Sequence, residues 1–582
     1  MPKKLLPYWQ ALPYLFMYQV ISKALIGLWI YGLGLLFRLL LKSTGRVAVT
    51  SGDFTFLFTS WQGILIILIA MVSLFGYVGL DLNTKIALSG GLLTGEKVSV
   101  WKSVLEGFAS IRHFLCVRGI LVVLYIALIA PILGLGVSIS LTESLYIPTF
   151  ISSVIASTPL YLVAVSLLVL VFLSVGVANL YLLHGVVLDK LTVREAGLQS
   201  KRLIHDNWKD YLKQNTLFLL VMAALLVLVT AVVLVIPLAL VYAIPFSEDV
   251  RRVLTILFVT AGVSLSCLTS LVATPFYILK MTQLFYTYKK GKPFQYAERP
   301  KRKHPLTVPV LVLAGVALTV AVISMNSQFD GLFPRDSEVK IVAHRGGGSE
   351  GAENTIAGLE TAWERCAYGS EIDIQRTKDG CYILNHDSDF QRVAGVKQKP
   401  EEMTLEEIRA LSVDGEPIPT FEEALQASKG KGVLFTELKG ETADRQMADD
   451  AVRMIKEYGM EDQCVLISLK YDVIDYIEQT YPEIQTGFLT FASFGDTAKL
   501  NCDYLALEEE SATTKAINAI HEQGKKAIIW TANERKSQRH FICSQADALI
   551  TDNISQAASI EEELGARTDL GRMVDRILGI VS

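Results

Sequence analysis

At 582 residues and 64.2 kDa the chain exceeds one ordinary domain, and it is 51% hydrophobic against 19% charged, with a mean hydropathy of +0.39. Two or more units are expected, one of them in a membrane. A formal net charge of -4, with the basic residues gathered beside apolar runs, excludes a nucleic-acid binder. The seven cysteines form no C-x-x-C pair and no metal-ligand spacing, so they read as free, mostly buried thiols.

Up to about Met325 the sequence is a series of long apolar runs; beyond Ser337 charges recur every few residues. A helix needs about 20 apolar residues to cross a bilayer. Stretches that qualify are residues 24–41, 54–80, 119–141, 158–188, 216–246, 254–279 and 306–325, about seven spans. No ionisable side chain sits inside the middle ones, so no ion or proton pathway is read there. An anchor or lipid-contacting scaffold is the reading, with a lipid-binding or transport protein as its rival.

Orientation is set by the cations. Lys289, Lys290, Lys292, Arg299, Lys301, Arg302 and Lys303 face only Glu298, which assigns that loop to the cytoplasm. The loop from Asp189 to Asn215 is also basic, and the one around Glu143 carries no Lys or Arg. Alternation then sends the last span outward, with the soluble half outside the cell, although Lys42 and Arg46 fall in a loop assigned to the same side. A faint repeat relates Lys97-Val-Ser-Val100 with Leu105 to Lys190-Leu-Thr-Val193 with Leu198. A linker at 326–338, containing Pro334, extends at most about 40 Å and keeps the soluble half close to the bilayer.

From Val339 short apolar runs alternate with amphipathic stretches. Strands are expected at 340–344, 370–374, 382–385, 433–438, 464–469, 486–490, 504–507, 527–531 and 548–551, with helices such as 355–366, 421–428, 443–458, 514–522 and 539–544 between them. That is the pattern of a (β/α)8 barrel. Gly346-Gly-Gly348 lacks the GxGxxG spacing of a doubly wound sheet. Chemistry-bearing residues fall at strand ends, where such barrels put their sites. His344 and Arg345 close the first strand. Glu371 and Asp373, two apart, point to one face, a pairing that suits a hard divalent cation. Glu437 and Lys439 repeat the spacing on a later strand, and His386 with Asp387 ends the segment after Asp379-Gly380. By contrast His113, His184, His521 and His540 read as ordinary surface or core residues.

Together these residues resemble the glycerophosphodiester phosphodiesterases: His344-Arg-Gly346, Glu353-Asn-Thr355, Glu371-x-Asp373, Thr377-Lys-Asp-Gly380, His386-Asp387, Ile418-Pro-Thr420 with Glu423, Glu437-x-Lys439, Trp530-Thr531 with Asn533, and Thr551-Asp552. Ala352 departs from the proline usual before Glu353. The apolar half is similar to the polytopic domain that precedes this enzyme in some bacterial relatives. The resemblance implies a polytopic transmembrane domain at 1–325, a linker at 326–338, a TIM-barrel phosphodiesterase domain at 339–562 and a C-terminal amphipathic helix at 563–582. It implies hydrolysis of glycerophosphodiesters, whether deacylated phospholipids, lipid head groups or glycerol-phosphate polymers, to glycerol 3-phosphate and an alcohol. Glu371, Asp373 and Glu437 would hold one Ca2+ or Mg2+, His344 and His386 would be the acid-base pair, Arg345 and Lys439 would contact phosphate, and Trp530 would pack on the glycerol. The implied setting is a bacterial cell membrane, with membrane lipids as neighbours. A phospholipase D-like lyase producing a cyclic phosphate is the second enzymatic reading.

Overall fold

The computed structural model describes residues 6–50, 55–95, 99–126, 149–291, 294, 307–335, 337–365, 367–491 and 493–581. It divides into two compact units, Met1–Phe37 with Gly63–Gln328, and Arg38–Gln62 with Phe329–Ser582.

The first unit is helical. Five helices among the described residues are long and apolar enough to cross a membrane: Ala11–Lys42, Trp61–Thr94, Pro159–Leu188, Val193–Ala243 and Glu248–Lys290. A bent pair, Val100–Phe114 with Val117–Leu124, turns by 120° and is a sixth candidate. The apolar run at 306–325 forms the helix Thr307–Ser327. The run at 119–141 leaves the described residues after 126, as do Lys97, Glu143 and the cations Lys292, Arg299, Lys301, Arg302 and Lys303 used for orientation. Local chemistry sets the starts: Thr192 accepts from the Glu195 amide while Glu195 reaches back to the Thr192 amide, a capping box that opens the helix Val193–Thr230.

The second apolar helix departs from expectation: it does not stop at Leu80 but continues to Thr94 through a π-helical turn, Val78–Asn83, and carries Asp81 and Lys85. Their side chains are 4% and 1% exposed, with Lys85 Nζ 2.7 Å from Asp81 Oδ1 and the Tyr77 hydroxyl donating to Asp81 Oδ2 at 2.9 Å. Pairing one turn apart neutralises both charges. The apolar run is therefore longer than its charges imply.

Among its described residues the second unit contains thirteen short strands in chain order: β1 Ala48–Thr50, β2 Lys340–Ala343, β3 Gly369–Arg376, β4 Tyr382–Leu384, β5 Ser412–Val413, β6 Glu416–Pro417, β7 Val433–Leu438, β8 Cys464–Ser468, β9 Gln485–Thr490, β10 Ser493–Gly495, β11 Tyr504–Glu508, β12 Lys526–Trp530 and β13 Ala548–Thr551. The sheet runs β2-β13-β12-β11-β9-β8-β7-β3, all parallel, and closes because β2 also pairs with β3; β4 hangs antiparallel on β3. This is the expected closed barrel. Alternation along the strands separates two cores. Val342, Phe435, Val465, Ile467, Leu489, Ala506, Ile528 and Ile550 fill the inside, while Ala343, Leu505, Ile529 and Leu549 pack outward under the helices.

Helices cover the barrel after β2 (Ile356–Glu364), β7 (Arg445–Tyr458), β8 (Tyr471–Thr480), β11 (Thr514–His521), β12 (Arg535–Ile542) and β13 (Ile554–Leu564). Between β9 and β11 the described residues form only β10 and a single 3-10 turn, Thr497–Lys499. The tail helix Asp569–Val581 docks on protein within this unit: Met573 is buried, Arg572 Nε donates to the Phe333 carbonyl at 2.6 Å, and Asp575 pairs with Arg539 at 2.8 Å and Arg567 at 3.0 Å. Val574, next to Met573, is exposed. The reading of the cysteines as mostly buried holds for Cys464, Cys502 and Cys543; Cys116 and Cys267 are exposed, Cys381 is half-buried, and Cys366 lies outside the described residues.

Candidate active site

The site grows out of the C-terminal ends of β2, β3 and β7. Parallel register sets Asp373 opposite Glu437, and the two-residue period turns Glu371 the same way. All three are buried and offer carboxylate oxygens within 4.8 Å of one another. Lys439 Nζ lies 2.9 Å from Asp373 Oδ1 and 2.8 Å from Glu437 Oε2.

Three carboxylates against one ammonium leave an uncompensated negative charge in a buried place. Burial, then the neighbouring Asp373 and Glu437, push Glu371 well above the carboxylate range. Burial also pushes Glu437 up to about 7 against the pull of Lys439. For Asp373 burial again raises the value, but Lys439, His386 and Arg345 outweigh it and hold the group ionised. Burial acts to discharge Lys439, and the surrounding carboxylates overcome it. A set of hard oxygen donors with excess anionic charge fits a hard divalent cation.

Around this centre the other expected residues assemble. The turn after β2 is tight: Arg345 has φ +48 and Gly346 φ +90, and the Arg345 amide donates to Glu371 Oε2 at 2.9 Å. That bond ties the first strand's end to the acidic set. Arg345 Nη1 is 3.6 Å from Glu353 Oε2, and its buried Nε has no hydrogen-bond partner among the described residues. His344 Nδ1 is 2.7 Å from Asp552 Oδ1, and its Nε2 is 4.0 Å from Glu371 Oε2. His386 Nδ1 is 2.8 Å from Asp387 Oδ1, and Arg392 clamps Asp387 at 2.7 Å and Glu353 at 2.6 Å. Since a carboxylate only accepts, each Nδ1 donates and each Nε2 is left for chemistry. Burial pulls His386 below the ordinary imidazole value, with Asp387 opposing it. Trp530, half-buried at the end of β12, is fixed by its indole N–H donating to the Ala506 carbonyl at 2.9 Å.

Both halves of the chain match family models. Residues 344–556 match the glycerophosphoryl diester phosphodiesterase family, and residues 8–323 match the membrane domain of glycerophosphoryl diester phosphodiesterase. The chain belongs to this family. It is a glycerophosphodiester phosphodiesterase with a membrane domain. A glycerophosphodiester phosphodiesterase from Caldanaerobacter subterraneus subsp. tengcongensis is 28% identical over 230 residues, 37% of this chain and 93% of its own. One from Bacillus altitudinis is 24% identical over 242 residues, 39% of this chain and 99% of its own. Among solved structures, a glycerophosphodiester phosphodiesterase from Parabacteroides distasonis has 25% identity, covers 39% of this chain and 98% of its own, and gives a TM-score of 0.36.

In this phosphodiesterase, sequence reasoning missed the residues that orient the chemistry. Asp552 stands in a quoted motif without a role, yet it fixes His344 while Asn533 fixes Asp552, the Asp552 amide donating to Asn533 Oδ1 at 2.8 Å. Asn354, at φ +52, brackets Asp373. For Asp552 the available signal was its position at a strand end: it directly follows β13, which pairs with β2.

Proposed function

We propose that this enzyme hydrolyses glycerophosphodiesters to glycerol 3-phosphate and an alcohol at a single divalent-cation site, Ca2+ or Mg2+, held by Glu371, Asp373 and Glu437. The observation that carries the reading is the buried carboxylate triad, with Lys439 bonded to two of its members and His344 4.0 Å from the third. A bound cation supplies Lewis-acid polarisation of the phosphoryl oxygens. Arg345, whose Nε has no partner among the described residues, and Lys439 share the charge that builds on those oxygens.

His344 and His386 form the acid-base pair. Each is held at Nδ1 by a carboxylate and works through Nε2, one accepting the proton of the attacking hydroxyl and the other protonating the departing alkoxide, each worth about 10² to 10⁴ in rate. The substrate's own glycerol 2-hydroxyl is the first nucleophile, and water opens the cyclic phosphate that results. Trp530 supports the glycerol. Substrates are deacylated phospholipids, lipid head groups or glycerol-phosphate polymers, met on the outer side of a bacterial cell membrane. The working division is a membrane part at 1–325 and a catalytic part at 339–562, followed by the helix at 563–582.

Phosphorus NMR of the purified full-length protein with a panel of glycerophosphodiesters tests this. Glycerol 3-phosphate should form with Ca2+ or Mg2+ and stop on chelation. Turnover that survives chelation would remove the cation from the reading, and a stable cyclic phosphate as sole product would replace hydrolysis by the lyase reaction.

A further inference from the structure

Among the described residues, the connection from β9 to β11 lacks the covering helix that each strand of such a barrel normally supplies. Its cover comes from elsewhere in the chain. β1 pairs antiparallel with β10, in the register Ala48–Gly495, Val49–Phe494 and Thr50–Ser493. Ala48, Val49 and Thr50 are all buried, and Ala48 belongs to the core cluster that includes Phe488, Leu500, Cys502, Leu505 and Leu507. The Asp496 amide donates to the Val47 carbonyl at 3.0 Å, and Arg38 Nη1 lies 3.2 Å from Asp496 Oδ1. Gly495 makes the approach feasible: at φ +109 a Cβ there would stand 2.7 Å from the Val47 oxygen and 3.0 Å from the Ala48 Cα.

We propose that Arg38–Thr50 is a working part of the catalytic unit: it replaces the missing cover after β9 and holds the residues from Ser493 to Lys499 in the conformation that admits substrate. The proposal rests on the phosphodiester reading of the barrel mouth. Ser493 follows Thr490, the last residue of β9, by three positions, so β10 belongs to the loops at the C-terminal end of the barrel where the carboxylate triad sits. β1 itself lies between the candidate spans Ala11–Lys42 and Trp61–Thr94. The connector between two membrane helices thus supplies a strand to the catalytic unit, and connector and barrel share one side of the bilayer. That co-location is independent of any count of cations, and of the two basic residues that argued against it Arg46 lies 5.2 Å over the Phe56 ring.

Residues in antiparallel pairs alternate between hydrogen-bonded and non-hydrogen-bonded sites. The Asp496–Val47 bond makes Val49–Phe494 a bonded pair and Thr50–Ser493 a close, non-bonded one. In full-length protein in its membrane, Thr50→Cys with Ser493→Cys should therefore close a disulfide on mild oxidation. Val49→Cys with Ser493→Cys, one residue out of register, and the single variants should not. Val49→Pro deletes the ladder N–H and should raise KM for a soluble glycerophosphodiester about tenfold, as should Gly495→Ala, while Val49→Ala, which keeps the N–H, stays within about threefold. Absence of the disulfide overturns the docking. A disulfide with unchanged KM in both Val49→Pro and Gly495→Ala overturns the role in substrate admission. If wild-type protein in the same preparation is inactive, the reaction assignment fails instead, and the disulfide arm still reports on the docking.

Discussion

Asn354 and Asp373 grip each other from both sides: Asn354 Nδ2 donates to Asp373 Oδ2 at 2.8 Å, and the Asp373 amide donates to Asn354 Oδ1 at 3.0 Å. Both residues are buried. The reciprocal pair fixes the carboxylate's rotation and leaves Oδ1 for Lys439. Outer residues that orient metal-binding carboxylates typically carry about 10–100-fold in metal affinity. Asn354→Ala is expected to weaken Ca2+ or Mg2+ binding by that factor in calorimetric titration, with the fold retained by circular dichroism. Affinity equal to wild type would mean that Asp373 needs no such support.

The pH dependence of turnover should report His386. Burial lowers its value beneath the ordinary 6.5, so the neutral ring dominates at neutral pH and suits His386 to take the nucleophile's proton; in that role it sets the acid limb of kcat/KM, which should fall below 6.5. Asp387 raises the value, so Asp387→Asn should move that limb to still lower pH. The stability sign obeys the same shift. Between the folded value and 6.5 the unfolded chain binds more protons, so stability should drop as pH falls through that window. A limb that moves upward in Asp387→Asn contradicts the assignment.

In the helical unit the Asp81–Lys85 pair should behave as a matched set. Lys85→Met alone strands a buried carboxylate and is expected to cost about 3–5 kcal/mol, while Lys85→Met with Asp81→Asn should recover most of the loss. Asn keeps an acceptor for the Tyr77 hydroxyl, which bonds Asp81 at 2.9 Å. Thermal unfolding in detergent, scored as a double-mutant cycle, reads the coupling directly.

Arg572 ties the tail helix to residues ahead of the barrel. Its guanidinium is 1% exposed, bonds the Phe333 carbonyl and Asp330, and lies 4.8 Å over the Phe329 ring. Arg572→Met should cost about 2 kcal/mol through the unpaired carbonyl and the lost ion pair. For a unit of this size that lowers the melting temperature by a few degrees, about 2–4 °C. Calorimetry showing an unchanged transition would mean the tail helix contributes nothing to the barrel.

The legible parts of the fold and site are the ones governed by short periods. Glu371 and Asp373, like Glu437 and Lys439, differ by two on a strand, so their common face could be read without a structure. His344 and Asp552 are 208 residues apart, and only barrel closure, with β13 beside β2, makes them neighbours. Ala48–Thr50 is too short for a period to register, and its partner loop carries no strand signal of its own. Asp81 and Lys85 read as the end of a span when charge alone is counted; their i,i+4 pairing hides the charge inside the helix.

The proposed chemistry depends throughout on the groups at the barrel mouth. The direct measurement is glycerol 3-phosphate release by full-length protein carrying His344→Ala, His386→Ala or Glu371→Gln, each with its fold verified by circular dichroism. Each variant is expected to lose at least about 10²-fold in kcat, since each removes a group that acts on the reacting atoms or holds the cation. Wild-type turnover in all three would contradict the assignment of this chemistry to the carboxylate triad and its two histidines.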